Sequence, residues 1–509
     1  MVMARTLALA LSGVDGQIVE VEADLSAGLP GLTFTGLADV SVVEARDRIR
    51  AAVLNSGGQW PNRRITVALL PADVRKVGSR FDLALAVAVL AAAEAVPASA
   101  ITGWAWLAEL GLDGQLRAVR GVLPAVLAAR RAGIERVVVA AANAGEAALV
   151  SGVQVRAAGT LREVVGWLRG ESGAPALAAP AEEAAAVRGP DLADVAGQPL
   201  GKRVLEVAAA GAHHIYLLGP PGAGKTMLAQ RLPGLLPALD DDAALDVTAV
   251  HSVAGRLPDR GRLLRRPPFE APHHTASVAA LVGGGSGLAK PGAISLAHHG
   301  VLFLDEAPEF HPSALDGLRQ PLEDGRVVLH RGQGSVSYPA RFLLVLAANP
   351  CPCGERSREC ICPPNQRRRY RMRLSGPLLD RIDIRVTLDS LTRAELLAEG
   401  SARETSAAVA ARVEQARAAA LERWRPQGWR TNAEVPGPVL RRRPWRLPRD
   451  AMRAVEGHLD SGELSARGFD RVLRVAWTVA DLSGRTVPGP GDVGEAVFLR
   501  TGRTEAWAA

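Results

Sequence analysis

The stretch Gly219-Pro-Pro-Gly-Ala-Gly-Lys225-Thr226 decides the fold, because it matches the phosphate-binding pattern G-x-x-x-x-G-K-[ST] in full. A β-prone run, His214 to Leu218, precedes it, and a helical run to Leu232 follows. Glycines let backbone N–H groups close around phosphate oxygens, and a helix start adds partial positive charge. The sequence therefore predicts ATP and Mg²⁺ binding by Gly219, Pro220, Pro221, Gly222, Ala223, Gly224, Lys225 and Thr226, with a chance glycine-rich turn as the alternative.

A second stretch, Val301-Leu-Phe-Leu-Asp305-Glu306, has four apolar residues followed by two carboxylates. This pattern is typical of a buried strand whose carboxyl end lies at the ligand-binding edge of an open α/β sheet. We expect Asp305 to hold Mg²⁺ and Glu306 to polarise the attacking water. An apolar run before Asp-Glu is common and predicts little by itself. The complete phosphate-binding turn upstream makes a functional site the favoured interpretation of this run.

A third apolar run, Phe342 to Ala347, ends at Ala348-Asn349-Pro350. Asn349 could orient the water from a neighbouring strand, and a turn-forming Asn before Pro is the alternative. Short buried strands that alternate with helices indicate a parallel sheet covered on both faces. The chain is thus expected to have an α/β core over residues 190–390.

Composition shifts divide the rest of the chain. Residues 1–170 mix strand-like and helix-like runs and are expected to form an α/β or α+β domain. Residues 171–189 are rich in Ala, Pro and Gly and are interpreted as a linker, partly helical. Residues 391–509 are predicted to form a separate helical domain, with helices over 393–399, 404–424, 449–459 and 469–482.

Net charge and composition favour a cytoplasmic protein with an acidic partner. The chain has 509 residues, a net charge of +7 and an apolar content of 48%, which is enough for real cores. A basic balance of this size favours nucleic acid only weakly. The longest apolar run, Leu83 to Ala93, is too short for a bilayer, which needs about 20 residues. No secretory signal pattern is present, so no membrane association is expected.

All four cysteines lie between Cys351 and Cys362, in the pattern C-x-C…C-x-C. Four thiolates so close in sequence could bind one tetrahedral Zn²⁺. These thiolates are Cys351, Cys353, Cys360 and Cys362. The spacing is tighter than in the usual C-x₂-C knuckle, so reduced cysteines or a redox-sensitive pair remain the alternative. We predict a structural zinc with no catalytic role, which would brace the segment between Asn349 and Arg381.

The chain resembles the AAA+ ATPases, and within them the magnesium-chelatase branch and the ComM/YifB family of bacterial proteins. The resemblance covers essentially the whole sequence and is carried by Gly28-Leu-Pro-Gly31, Pro61-Asn-Arg-Arg-Ile-Thr66, Pro71-Ala-Asp-Val-Arg75, Phe81-Asp-Leu83, Ala271-Pro-His-His-Thr275, Gly283-Gly-Gly285, Leu296-Ala-His-His-Gly-Val-Leu-Phe-Leu-Asp-Glu306, Asn349-Pro-Cys-Pro-Cys-Gly354 and Ser375-Gly-Pro-Leu-Leu-Asp-Arg-Ile-Asp383. It implies a Lon-protease-like N-terminal domain (ribosomal S5 domain 2-like), a central P-loop ATPase domain with a helix-2 insertion, and a C-terminal helical lid.

The resemblance also implies roles for two arginines. Arg381 is similar to an arginine finger that acts on the neighbouring subunit's γ-phosphate, and a salt-bridged helix-end arginine is the alternative. Arg467 is similar to the sensor arginine of the lid, with Arg471 and Arg474 as close rivals. Because a finger that works on the neighbouring subunit requires a ring, the resemblance implies a homohexamer.

Several basic residues are candidates for DNA contact. Residues 325–341 are similar to the family's hairpin before the sensor strand, which in related motors faces the central pore and makes Arg331 a candidate. The alternative is a packed edge hairpin. Arg367, Arg368 and Arg369 form a plausible phosphate-binding patch, though a charged subunit interface explains them nearly as well. His273 and His274 are expected to have a structural or pore-loop role.

The N-terminal domain raises the question of peptidase activity, because Lon-type peptidases need a Ser–Lys dyad. Arg80 occupies the position where the family alignment seeks the serine, next to Ser79, and the matching lysine region over 121–126 contains no lysine. Lys76 is the single lysine before the linker. We therefore expect a non-proteolytic domain.

Three functions are compatible with the sequence. The resemblance favours a hexameric, ATP-dependent DNA motor with helicase or branch-migration activity in natural transformation or recombination. A chelatase-type motor that remodels a protein partner is the alternative, although simple chelatase motor subunits are expected to resemble only the central part. An ATP-dependent peptidase is the third and is disfavoured by the missing dyad.

Overall fold

The computed structural model describes residues 2–37, 39–181, 189–257, 261–285, 289–331, 334–354, 360–393 and 403–502. Three regions follow one another along the chain, and they are packed together through shared apolar clusters. The predicted helix over 393–399 and the turn residues 332 and 333 lie outside the described residues, apart from residue 393 itself.

The N-terminal region contains an eight-stranded mixed sheet. Its strands, in chain order, are Val2–Ser12, Asp15–Ser26, Gly31–Thr35, Arg64–Leu70, Ala105–Leu107, Arg136–Ala140, Gln154–Ala158 and Ala176–Leu177, and a separate pair is formed by Glu109–Leu110 and Leu116–Arg117. Its helices are Val40–Asn55, Asp82–Ala92, Ala98–Ile101, Val122–Arg131, Ala144–Ala147 and Leu161–Leu168. Every residue of Asp82–Ala92 is buried, because this helix lies between the long hairpin of the first two strands and Val40–Asn55.

Part of the expected linker belongs to this sheet. Ala176–Leu177 pairs antiparallel with Gln154–Ala158 at the sheet edge, while residues 182–188 lie outside the described part of the chain. Two edge residues carry little of the β-branched signal that marks a strand in sequence. For this reason composition alone suggests a linker that begins at residue 171.

The central region contains a five-stranded sheet in which every neighbouring pair is parallel. The strands across the sheet are Phe269–Glu270, Val301–Leu304, Leu343–Ala348, Ile215–Leu218 and Ile384–Thr387. Buried apolar residues fill the middle strands, as expected for a sheet covered by helices on both faces. The predicted parallel-sheet core is confirmed.

Helices and short strands surround this sheet. The helices are Pro199–Gly211, Lys225–Arg231, Asp241–Ala254, Val278–Val282, Ala293–Leu296, Pro312–Asp316, Arg319–Asp324, Pro364–Met372 and Gly376–Leu379. Between the phosphate-binding turn and Asp305 the chain inserts a small antiparallel pair, Gly283–Gly284 with Lys290–Pro291. The predicted hairpin is present as Arg326–Arg331 paired with Gly334–Pro339.

The C-terminal region is helical over its described residues. Its helices are Ser406–Trp424, Gly437–Leu440, Arg449–Asp460, Ala466–Leu482 and Pro490–Thr501. Ser406–Trp424 and Ala466–Leu482 pack on Pro199–Gly211, so one apolar cluster is shared between the ATPase sheet and these helices. The last helix packs against the edge strand Ile384–Thr387.

The N-terminal region docks on helix Asp241–Ala254 of the central region. Val122–Arg131 packs along this helix, and Ala249 belongs to the apolar cluster of the N-terminal sheet. Ser252 Oγ donates to the buried Glu146 carboxylate, which also accepts a hydrogen bond from the backbone N–H of Leu123. No helix in the described part of the chain is long and apolar enough to cross a membrane.

Candidate functional site

Strand order brings the predicted site residues to one edge of the central sheet. Leu343–Ala348 lies between Ile215–Leu218 and Val301–Leu304, and all three strands run in the same direction. Their carboxyl ends therefore meet, and the residues that follow them lie close together.

The phosphate-binding turn leaves Ile215–Leu218 and ends where helix Lys225–Arg231 begins. Gly222 and Gly224 have φ of 77° and 79°, left-handed values that favour glycine. Nothing lies within 4 Å of the position that a Cβ would take at either glycine, so the turn opens onto free space. At Gly219 a Cβ would meet the carbonyl oxygen of Leu388 at 2.7 Å, so the start of the turn tolerates no side chain.

The Lys225 ammonium lies inside this turn. Nζ donates to the carbonyl oxygens of Gly219 at 2.7 Å and Pro220 at 2.9 Å, and to Asn349 Oδ1 at 3.1 Å. Burial lowers the pKa of Lys225, while the nearby carboxylates of Asp305 and Glu306 act in the opposite direction. This contact brings Asn349, which follows the neighbouring strand, next to the phosphate-binding turn.

Thr226 and Asp305 present a pair of oxygens beside the turn. Thr226 Oγ1 donates to Asp305 Oδ2 at 2.6 Å, and the other carboxylate oxygen of Asp305 accepts from the backbone N–H of Glu306 at 2.9 Å. Hydroxyl and carboxylate oxygens are the hard ligands that Mg²⁺ prefers. The open glycine turn, the buried Lys225 ammonium and these oxygens together fit a magnesium nucleotide.

Glu306 follows Asp305 with an unusual backbone. Its φ of 49° lies in the left-handed region, which costs a residue with a side chain of order 1 kcal/mol or more. Its carboxylate is about half exposed, and Oε2 lies 3.1 Å from His274 Nδ1. Residues with strained backbone cluster at active sites and ligand-binding sites in proteins.

His274 is a site residue that the sequence reasoning missed. It follows strand Phe269–Glu270, which pairs parallel with Val301–Leu304, so the loops after both strands meet at the same edge. A two-residue strand gives almost no periodic signal, and the pair His273-His274 is therefore expected from sequence in a structural or pore-loop role. The structure places His274 Nδ1 3.1 Å from Glu306 Oε2, a contact that the sequence does not predict.

Arg381 precedes the edge strand Ile384–Thr387 and so comes at the amino end of the sheet, whereas the phosphate-binding turn follows the carboxyl end of the parallel strand Ile215–Leu218. Nη2 forms an ion pair with Glu323, and Nη1 donates to the carbonyl of Pro377 at 2.6 Å. Its Nε is buried without a hydrogen-bond partner among the described residues. Arg381 lines a cavity of about 160 Å³ whose other lining residues are Glu323, Asp380, Arg467, Asp470, Arg471 and Arg474.

Arg467, Arg471 and Arg474 are the three candidates for the sensor arginine of the lid, and their contacts differ in the structure. Arg471 is committed to the buried Asp383, with Nη1 2.9 Å from Oδ1. Arg474 Nε donates to the carbonyl of Val435 at 2.7 Å, and burial lowers the pKa of Arg474 to about 10. Arg467 is exposed on the first turn of Ala466–Leu482 and faces the same cavity as Arg381.

The cysteines converge as their spacing predicts. Cys351 Sγ lies 3.2 Å from Cys353 Sγ and 3.4 Å from Cys360 Sγ. The sulfurs of Cys353 and Cys360 are 3.7 Å apart. The sulfur of Cys362 joins them within 4.8 Å. Four sulfurs around a tetrahedral ion with Zn–S near 2.3 Å would be about 3.8 Å apart, so this cluster has the dimensions of a metal site.

The candidate DNA-contact residues are on two separate elements. Arg367, Arg368 and Arg369 lie on helix Pro364–Met372, which begins two residues after Cys362, and Arg368 and Arg369 are exposed. Arg331 ends the first strand of the hairpin, and its side chain lies outside the described part of the structure.

Ser79, next to the position where the dyad serine is sought, and Lys76, the single lysine before the linker, bond to different partners. The buried Lys76 donates through Nζ to the carbonyl of Pro71, and Ser79 Oγ donates to the carboxylate of Glu109. Burial lowers the pKa of Arg80 to about 10. Neither hydrogen bond joins the Ser79 hydroxyl to the Lys76 ammonium, as a Ser–Lys dyad would require.

Comparison with known proteins identifies relatives over nearly the whole chain. Residues 191–396 match the family model described as magnesium chelatase, subunit ChlI, residues 21–143 the model for subunit ChlI of Mg-chelatase, and residues 403–500 the model for the C-terminal part of the same subunit. The chain is 54% identical over 504 residues to an uncharacterised protein of Mycobacterium tuberculosis, covering 98% of this chain and 99% of that one.

Two further relatives are proteins named ComM and YifB, the names of the family that the sequence resembles. Competence protein ComM of Haemophilus influenzae is 43% identical over 489 residues, covering 95% of this chain and 94% of the relative. The protein YifB of Escherichia coli, itself uncharacterised, is 42% identical over 491 residues, with coverage of 96% and 95%. The match of residues 21–143 to a chelatase model contradicts the expectation that chelatase motors resemble only the central part of this chain.

Proposed function

This chain belongs to the ComM/YifB family of magnesium-chelatase-like AAA+ ATPases, and we propose that it is a ring-forming, ATP-driven DNA motor with helicase or branch-migration activity. The observation that carries the proposal is the 43% identity, over 95% of the chain, to a protein named for competence. ATP hydrolysis with Mg²⁺ follows from the AAA+ family. DNA as the partner, natural transformation or recombination as the setting, and the homohexamer are parts of the proposal.

In this proposal each residue at the carboxyl edge of the central sheet has a separate role in phosphoryl transfer. Lys225 binds the β- and γ-phosphates, Thr226 and Asp305 hold the metal, and Asn349 orients the attacking water. Glu306 polarises that water from the neighbouring strand. Bound Mg²⁺ supplies positive charge that offsets the charge developing on the phosphate oxygens.

In the same proposal Arg381 completes the site of the neighbouring subunit, and Arg467 is the sensor arginine of the lid. Both line one cavity of their own chain, away from its own phosphate-binding turn, which supports action across a subunit boundary. A fixed guanidinium at the γ-phosphate is worth roughly 10³–10⁵ in rate in other phosphoryl-transfer enzymes. The ion pair from Arg381 to the exposed Glu323 must open for this role.

We also propose that Cys351, Cys353, Cys360 and Cys362 hold a structural Zn²⁺. Neutral thiols are weak hydrogen-bond donors, so four of them gain little by gathering without a metal. In support, all four sulfurs lie within one 4.8 Å cluster.

A chelatase-type motor that remodels a protein partner is the second candidate. The three family models named for subunit ChlI favour it, because together they cover all three regions of the chain. The ComM relative covers the same regions in one continuous match and therefore ranks first. A peptidase is not proposed, since Ser79 and Lys76 have separate partners.

An ATPase assay with and without DNA tests the proposal. We expect the wild-type protein to hydrolyse ATP faster when single-stranded or branched DNA is added at low salt, where phosphate contacts are strongest. Lys225→Ala and Arg381→Ala should lose turnover, and Lys202→Ala is a matched lysine control that should retain it. A wild-type ATPase that neither binds DNA nor responds to it at low salt would refute the motor and leave the chelatase-type alternative.

A further inference from the structure

The cysteine cluster touches the nucleotide site directly. Gly354, one residue after Cys353, has φ of 77°, and a Cβ there would meet the Pro221 ring at 2.7 Å. The backbone of the cysteine loop therefore lies against the phosphate-binding turn itself. This contact is not visible in the sequence, where the two segments lie far apart along the chain.

A second connection runs through the strand that leads into the cluster. Asn349 follows Leu343–Ala348 and accepts from Lys225 Nζ at 3.1 Å, and Cys351 is only two residues further on. Cys351 is 1% exposed, and its carbonyl accepts from the backbone N–H of Gly354 at 3.0 Å. One tight turn thus joins Asn349, the first two sulfurs and the residue that lies against Pro221.

We infer that the metal in this cluster is a brace for the nucleotide site, so that zinc occupancy sets the affinity for ATP. The inference rests on the proposed ATPase and zinc sites. Four metal–sulfur bonds fix the turn from both ends, through Cys351 and Cys353 on one side and Cys360 and Cys362 on the other. Without them the turn retains weak sulfur contacts, and Asn349 and Gly354 are no longer held against Lys225 and Pro221.

The test compares zinc content and nucleotide affinity in the full-length protein. We expect one zinc per chain in the wild type and none in Cys353→Ser/Cys360→Ser. The dissociation constant for a non-hydrolysable ATP analogue, measured by calorimetry, should rise about tenfold in that variant, the factor expected when one hydrogen bond to a charged group is lost. Because the variant could misfold, the same titration is repeated on wild-type protein stripped by a chelator and then given zinc again, which should restore affinity.

The contact itself is tested with Pro221→Ala, which retains all four cysteines and should retain zinc. If the brace acts through this contact, the losses of affinity in Pro221→Ala and in the cysteine variant should combine to less than their sum. Zinc lost with nucleotide affinity unchanged would overturn the brace while leaving the zinc site and the ATPase standing. Protein that takes up no zinc would overturn both zinc proposals, and an unchanged nucleotide titration would show that ATP binding survives.

Discussion

At the scale of single residues, His274 contacts Glu306, the carboxylate that we propose polarises the attacking water. Glu306 is about half exposed, and His274 Nδ1 lies 3.1 Å from its Oε2. We expect His274→Ala to lower kcat roughly tenfold with little change in nucleotide affinity, because a carboxylate that loses its orientation is a poorer base but does not bind phosphate. Steady-state ATPase kinetics and an equilibrium nucleotide titration measure the two effects separately.

His274→Asn is the conservative variant for this prediction, since its amide can still donate to the carboxylate. It should recover much of the lost turnover, and His273→Ala, a change at the adjacent ring, should have a smaller effect. A higher basal rate in His274→Ala would mean that the histidine holds Glu306 away from the water rather than toward it.

His298 gives a second residue-scale prediction, for stability against pH. Burial, together with His299 and Arg341, lowers the pKa of His298 to about 3, and its Nδ1 accepts from the backbone N–H of Arg341 at 3.0 Å. The unfolded chain takes up this proton near pH 6.5, before the folded one does. Stability should therefore fall as the pH drops below about 6.5, with this group contributing up to about 1.4 kcal/mol per pH unit.

Replacing His298 with Asn isolates this contribution, because the amide oxygen can accept the Arg341 N–H without titrating. Urea midpoints measured from pH 7 to 4.5 should depend less on pH in His298→Asn than in the wild type. The exposed His330 supplies the control, and His330→Asn should follow the wild type. Parallel curves for all three proteins would contradict the prediction.

At the scale of elements, helix Pro364–Met372 is the best-described candidate for DNA contact. Arg368 and Arg369 are exposed on it. If both bind phosphates of single-stranded DNA, Arg368→Ala/Arg369→Ala should reduce the slope of log affinity against log salt by about 1.4. Fluorescence anisotropy at several salt concentrations measures this slope. Arg442→Ala/Arg443→Ala removes the same charge from another exposed segment and should leave it unchanged.

Elements with strong local signals are predictable from the sequence, and elements defined by distant partners are not. The phosphate-binding turn and the strands at Val301–Leu304 and Leu343–Ala348 are marked by glycine spacing and by apolar runs that end in polar residues. Strands Phe269–Glu270 and Ala176–Leu177 have two residues each, so their pairing depends on the sheets that they join. This is why the sequence predicts neither the contact of His274 with Glu306 nor the pairing of Ala176–Leu177 within residues 171–189.

At the scale of the whole molecule, the role that we propose for Arg381 requires a second chain, because Arg381 lines a cavity that none of the residues of its own phosphate-binding turn lines. Arg381 and Arg467 share a cavity with Arg471, whose partner Asp383 immediately precedes the edge strand Ile384–Thr387. The sequence could suggest these arginines by resemblance, but only the folded chain shows that they lie together. A head-to-tail ring would bring this cavity to the next subunit's nucleotide, and rings of this kind repeat one heterologous interface.

Mixing two inactive variants tests this arrangement. The Lys225→Ala variant has a defective phosphate-binding turn but retains the Arg381 guanidinium. The Arg381→Ala variant lacks that guanidinium but retains an intact turn. When equal amounts assemble at random, about one quarter of the interfaces join an intact turn to an intact guanidinium, because each requirement is met by half of the chains. We therefore expect ATPase activity to return in the mixture to roughly that fraction of wild type, although each variant alone is inactive. If Arg381 served its own chain's nucleotide, no interface would be complete, and the mixture would stay as inactive as its components.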